Sequence, residues 1–199
     1  MIVLAALAFG IYKWTRGRET ASFNLQNMQF TRLTENGKAA ELGISPDGRY
    51  VAWVVQDGEK SSMWVRQVAT GSDIQVLPPE EIPFNGLRFS PDGNYLYFTR
   101  TDKSTFNFAY LYKMPSLGGA ATQLVRDVDS GVSFSPDGQQ ITYVRGAPAE
   151  GVWKLMIAGA DGSSERQLTS VHSLIGAGYI ATPAWSPDGK TIALTFWEF

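Results

Sequence analysis

From residue 20 onward, short runs of apolar and aromatic residues alternate with turn signals, and the runs recur with a near-constant period. Tyr50-Val51-Ala52-Trp53-Val54, Tyr95-Leu96-Tyr97-Phe98-Thr99, Ile141-Thr142-Tyr143-Val144 and Ile192-Ala193-Leu194-Thr195-Phe196 are near-continuous apolar runs. Such runs fit strands covered on both faces. A further set, Met63–Val68, Tyr110–Met114 and Trp153–Ile157, reads as third strands that alternate more cleanly. Each meets a second turn, and short fourth strands follow at Ile74–Leu77, Thr122–Val125 and Arg166–Thr169. No segment after residue 20 has helical periodicity.

The punctuation between first and second strands is a repeated tetrapeptide. It stands at Ser45, Pro46, Asp47, Gly48; at Ser90, Pro91, Asp92, Gly93; at Ser135, Pro136, Asp137, Gly138; and at Ser186, Pro187, Asp188, Gly189. Starts at 45, 90, 135 and 186 make the spacings 45, 45 and 51 residues. An apolar residue precedes each copy: Ile44, Phe89, Phe134 and Trp185. Pro supplies φ near −65° for the second position of a type I turn, and Ser before it is held extended. Asp bonds local N–H groups, and Gly takes the positive φ that closes the hairpin. The four copies are therefore structural turns rather than four acidic ligand sites.

Four antiparallel strands in about 45 residues is the size of one propeller blade. The fold class expected is all-β, a β-propeller of four-stranded antiparallel blades, with about four blades present and the last incomplete. The boundaries are 35–80, 81–126, 127–170 and 171–199 for the blades, within a propeller region of 21–199. Phe30-Thr31-Arg32-Leu33-Thr34 resembles the fourth-strand segment Arg166–Thr169 but precedes the first turn, so 28–34 is expected to act as a closure strand. A six- or seven-bladed parent ring follows from that expectation.

Residues 1–20 differ. Met1 to Tyr12 is an apolar and small run, followed by Lys13, Trp14, Arg16 and Arg18. Twelve helical residues reach about 18 Å, short of the roughly 30 Å of hydrocarbon in a bilayer. No basic region precedes the run, which argues against a signal peptide. The segment is read as the end of a truncated transmembrane helix with Tyr12 and Trp14 at the interface, although its basic flank would by charge rules favour a cytoplasmic continuation.

Charge and composition narrow the function. Seventeen basic and 19 acidic residues give a net charge of −2, so nucleic acid is not an expected partner. Absence of Cys excludes thiolate chemistry and disulfides. His172 is the single histidine, set in a Gly-rich stretch from Val171 to Gly178 and read as a loop residue. Asp127 and Asp129 lack the further oxygen ligands of a calcium loop. The six Trp are assigned to blade packing. No catalytic residue, cofactor or metal is assigned.

The turns, the segment Ala158-Gly159-Ala160-Asp161-Gly162 and the ending Gln167-Leu168-Thr169 resemble the TolB-like, WD-repeat-like propellers over about residues 28–196. Phe23–Thr34, Trp64–Gly71 and Asp127-Val128-Asp129-Ser130 resemble the C-terminal propellers of bacterial membrane proteins that carry a cytoplasmic serine/threonine kinase, or a winged-helix domain, before one membrane helix. The resemblance implies a non-catalytic, extracytoplasmic sensor propeller that binds a protein or small ligand through its loops; by their length alone, 172–182 and 101–108 are the variable contacts expected. A TolB-type envelope interaction protein and the gating propeller of a prolyl-oligopeptidase or dipeptidyl-peptidase are the alternatives.

Overall fold

In a computed structural model the described residues are 30–34, 37–101, 108–172 and 181–195. They form fourteen strands. The first blade holds β1 (Ala39–Ile44), β2 (Tyr50–Asp57), β3 (Lys60–Gln67) and β4 (Ser72–Glu80). The second holds β5 (Phe84–Phe89), β6 (Tyr95–Thr101), β7 (Ala109–Pro115) and β8 (Thr122–Arg126). The third holds β9 (Ser133–Phe134), β10 (Gln140–Ala147), β11 (Val152–Gly159) and β12 (Arg166–His172). The fourth position is a hairpin of β13 (Ala184–Trp185) and β14 (Ile192–Ala193). Each complete blade is an antiparallel meander in sequential order. The unit from residue 36 onward is an open, partial propeller.

The core lies between blades. Ala52, Val54, Met63 and Val65 on one side of the first blade pack with Leu87, Phe89, Leu96, Phe98 and Met114 of the second. Tyr97, Leu111 and Val125 on the other side of the second blade pack with Val132, Ile141, Tyr143, Met156 and Ala158 of the third. We call the side facing the preceding blade the front and the side facing the next the back. Period-2 alternation sends neighbouring residues to opposite sides, so Phe98 serves one core and Tyr97 the other. This is why the second strands read as unbroken apolar runs.

Two of the third strands depart from expectation. Met63 to Arg66 in β3 alternates as expected, but β7 is buried at the consecutive Ala109-Tyr110-Leu111 and β11 at Leu155-Met156-Ile157-Ala158. β7 and β11 have a neighbour on each edge, and each lies in a blade with another on either side. The fourth strands are the exposed ones, and every residue of β12 is exposed. β14 is also shorter than expected, its ladder holding Ile192 and Ala193 only, because β13 is its one paired neighbour among the described residues. The closure strand expected over 28–34 lies partly outside the described residues, and its described part, 30–34, holds no ladder. The apolar leader lies wholly outside them. Among the described residues no helix is long and apolar enough to cross a membrane.

The first strands converge. β1 packs on β5 and β9 on β13. At the entry to these strands, four residues before each repeated Ser, stand Glu41, Gly86, Gly131 and Thr182. A Cβ on Gly86 would lie 2.5 Å from Gly131 Cα, and one on Gly131 would lie 2.6 Å from Thr182 Oγ1. Gly86 is thus required by close backbone approach and Gly131 by the Thr182 side chain, neither by a left-handed dihedral. Gly86→Ala is expected to destabilise by about 1–3 kcal/mol through this overpacking, read as a lower midpoint in urea unfolding. An unchanged midpoint would show that the first strands can part without cost.

Candidate functional site

The repeated tetrapeptides build one rim of the fan. In each copy the Gly N–H donates to the Ser carbonyl at 2.8–2.9 Å, closing the turn, and the Gly φ is between 70° and 74°. The Ser hydroxyl sits at the centre of a short relay. Its Oγ accepts from the backbone N–H of Tyr50, Tyr95, Gln140 or Thr191 at 2.9–3.0 Å. Its proton goes to Oδ1 of Asp47, Asp92, Asp137 or Asp188 at 2.5–2.7 Å. The same Oδ1 accepts the N–H two residues on, from Arg49, Asn94, Gln139 or Lys190, at 3.0–3.1 Å. Ser45, Ser90 and Ser135 are buried, so the relay satisfies groups that water cannot reach.

Donation by the Ser hydroxyl, followed by the backbone N–H, holds all four carboxyls below their ordinary range. A carboxyl depressed in the folded state adds stability above its unfolded value near 4, and loses it as pH falls through the folded value. Stability should therefore decline as pH drops below about 4, and the decline should be shallower in a chain with all four Asp replaced by Asn, as thermal melts across pH 2 to 6 would show. Ser90→Ala would strand the Tyr95 N–H and is expected to cost about 1–3 kcal/mol, whereas a loss below a few tenths in denaturant titration would remove the relay from the stability account.

The rims also touch across blades. A Cβ on Gly138 would lie 3.1 Å from Pro91 Cγ, one on Gly189 3.5 Å from Pro136 Cγ, and one on Gly93 3.7 Å from Pro46 Cδ. Each turn's Gly thus seats against the Pro of the preceding turn, giving a continuous row. A Cβ on Gly162 (φ 85°), in the turn between β11 and β12, would meet the Leu124 carbonyl at 2.8 Å, so that turn presses on the fourth strand of the blade before it.

At the opposite rim the second-to-third and fourth-to-first connections emerge, since strand direction reverses at each hairpin. Both connections singled out for their length, 101–108 and 172–182, join strands that end there. Their interiors, 102–107 and 173–180, lie outside the described residues. His172 is not in the loop: it is the last residue of β12, paired with Val152, because that strand extends beyond Thr169. Asp127 and Asp129 are engaged in structure. Asp127 takes a φ of 63°, and its carbonyl accepts from Arg145 Nε at 2.8 Å. Asp129 Oδ2 accepts from Gly146 N–H at 2.7 Å.

Two features have no signal in the sequence. Arg145 stitches the second blade to the third, donating to the Arg126 carbonyl at 2.7 Å and pairing with Glu165 at 2.5 Å. Tyr143 donates to the same Glu165 at 2.6 Å, and burial, reinforced by that carboxylate, pushes the phenol pKa up. The second feature is a groove of about 560 Å³ on the front of the first blade, between Trp53 and Trp64 and rimmed by Lys60, Asp73 and Gln75. Arg66 lies 5.6 Å from the Trp53 ring and forms a two-pronged pair with Asp73 at 2.6 and 2.7 Å. Among the described residues no group of His, Cys, Asp and Glu has the geometry to hold a metal ion.

Known proteins match this arrangement. A TolB candidate from Agrobacterium tumefaciens superposes with a TM-score of 0.65 at 19% identity, over 84% of this chain and 61% of that one. TolB from Acinetobacter baumannii superposes at 0.61 and 21% identity, over 78% and 37%. A prolyl endopeptidase structure superposes at 0.56 and 17% identity, over 80% of this chain and 25% of that protein. The chain thus spans about three fifths or less of these similar proteins. The family model of the TolB beta propeller domain matches residues 41–196, most of the chain, and the protein belongs to that family.

Proposed function

We propose that this propeller is a non-catalytic binding domain, the extracytoplasmic sensor of a membrane-anchored bacterial signalling protein whose effector is a kinase or winged-helix domain. The observation that carries the reading is the division of labour between the rims. One rim is locked into an identical hydrogen-bonded turn four times over, while the two long connections, 101–108 and 172–182, leave from the other. Binding residues concentrate on loops held by a rigid scaffold, and here the scaffold supplies one end for them. A protein or small ligand would be read there. The apolar run Met1–Tyr12 with its basic flank supports anchorage, since an aromatic and cationic border is what a helix presents at a membrane surface. Similarity to TolB propellers supports binding rather than chemistry.

The orientation is testable with a phosphatase reporter that folds only outside the cytoplasm, fused after Phe199. Reporter activity in intact cells, with the chain resisting alkaline extraction from membranes and released on deletion of 1–20, is the expected outcome. An inactive reporter, or extraction of the full chain by alkali, would overturn the anchored extracytoplasmic reading.

A further inference from the structure

Between blades the chain crosses the loop-bearing rim in connections that share a repeat position, and two of them are fixed by different means. In the first, the buried Ile82 is followed by Pro83, whose ring sets φ. The equivalent pair in the second is Asp127 and Val128, each 45 residues further on, and no ring constrains them. Asp127 instead takes a φ of 63°; among the described residues the other non-glycine with a positive φ is Ser164, at 54°. A residue carrying a Cβ is strained in that region and keeps it only where its surroundings hold it. Both residues adjoin groups that Arg145 holds. Its Nε donates to the Asp127 carbonyl at 2.8 Å; its Nη2 donates to the Arg126 carbonyl at 2.7 Å and pairs with Glu165, the neighbour of Ser164, at 2.5 Å. A planar guanidinium fixes direction as well as distance, so one fork can hold two successive carbonyls to a single course. Arg100 stands at the same repeat position beside the Pro83 connection, and meets the Glu80 carboxylate at 3.4 Å.

The connection held this way reaches both roots of 101–108. The Val128 N–H donates to the Ala109 carbonyl at 3.0 Å, at the start of β7, and the Ser130 carbonyl accepts from Thr99 Oγ1 at 3.0 Å, near the end of β6. Phe108 lies under Arg126, its ring centre 4.5 Å from the guanidinium carbon. Val128 is fully buried, so the segment is seated in the junction and not draped over it. We propose that Arg145 is a positioning residue for this rim. By holding Asp127 in its left-handed conformation it fixes the Asp127–Ser130 connection, and through it the placing of β6 and β7 at the base of 101–108. The third blade thereby sets the footing of a connection that belongs to the second. That 101–108 contacts a ligand rests on the binding reading proposed above; the hold on its roots does not, and is tested without any ligand. A ligand that shifted these roots would work against Arg145, so the same fork sets how readily the rim adapts.

The test is hydrogen exchange read by mass spectrometry on the full 199-residue chain in a mild detergent. Arg145→Met keeps the reach of the side chain and removes the fork. Exchange at the Val128 and Asp129 amides should rise about tenfold, as release of a strained segment implies, while Gly93 and Tyr95 on the tetrapeptide rim keep their wild-type rates. A rescue separates strain from charge. Asp127→Gly, placed in the Arg145→Met chain, tolerates the left-handed φ without the fork and should bring both amides back to within about threefold of wild type. Asp127→Ala removes the same charge but keeps a Cβ, and should not. Should Arg145→Met fail to fold, Arg145→Lys, which keeps the charge but cannot bridge both carbonyls, is read with the same two partners. Unchanged exchange at Val128 would overturn the proposal. So would a rise shared equally by Gly93 and Tyr95, no rescue by Asp127→Gly, or an equal rescue by Asp127→Ala.

Discussion

Everything in this fold depends on one steric constraint: the first strands of the second and third blades meet so closely that there is no room for a Cβ at Gly86 or Gly131. Gly86 and Gly131 touch through backbone, and Thr182 closes on Gly131. Once the inner edges are this close, the blades must splay outward, and the wedge between them fills with side chains of graded size. At the first junction Phe98 on the front stands opposite Ala52 and Val54 on the back, whereas at the second Tyr143 packs with Tyr97, Leu111 and Val125. Hydrophobic burial then acts between blades rather than within any one sheet, since an isolated four-stranded meander would leave both its faces wet.

The hydrogen-bonding economy is equally local. The Ser–Asp relay handles the backbone groups at one rim using residues no more than five apart, so it can be repeated without reference to the rest of the molecule. The polar contacts that cross between blades are of another kind. Arg145 reaches the carbonyls of Arg126 and Asp127, and the Trp185 N–H donates to Ser133 Oγ at 3.0 Å. Among the described residues each such contact is particular to one junction, which makes the junctions chemically distinct although the blades are alike.

That contrast explains what could be seen in the residues alone. The tetrapeptides announce their turns because the whole arrangement, Pro, Asp and Gly included, is contained in consecutive positions. The order of strands was legible from the same punctuation. β7 and β11 were misjudged because composition does not reveal that a blade lies against each face, whereas in the first blade Trp64-Val65-Arg66 keeps its alternation, Arg66 lying over Trp53 of its own blade and tied to Asp73. His172 was placed in a loop because glycines follow it, yet pairing with Val152 draws the strand to that point. The Arg145 junction and the groove at Trp53 and Trp64 join residues from separate strands or blades, and no local pattern marks them. The rim proposed for binding rests on strand direction and connection length alone, since recognition chemistry has no repeated signature.

The Pro-on-Gly row has a bearing on how such a chain can change over time. A residue added within one of these turns would push its glycine off the neighbouring proline and disturb the whole rim, so that side of the molecule is closed to insertion. The opposite side carries no such chain of contacts among the described residues, and it is there that the spacing grows from 45 to 51 residues between the last two repeats. Lengthening of the polypeptide is channelled to one side, leaving the other as a fixed ruler against which new surface can be tried.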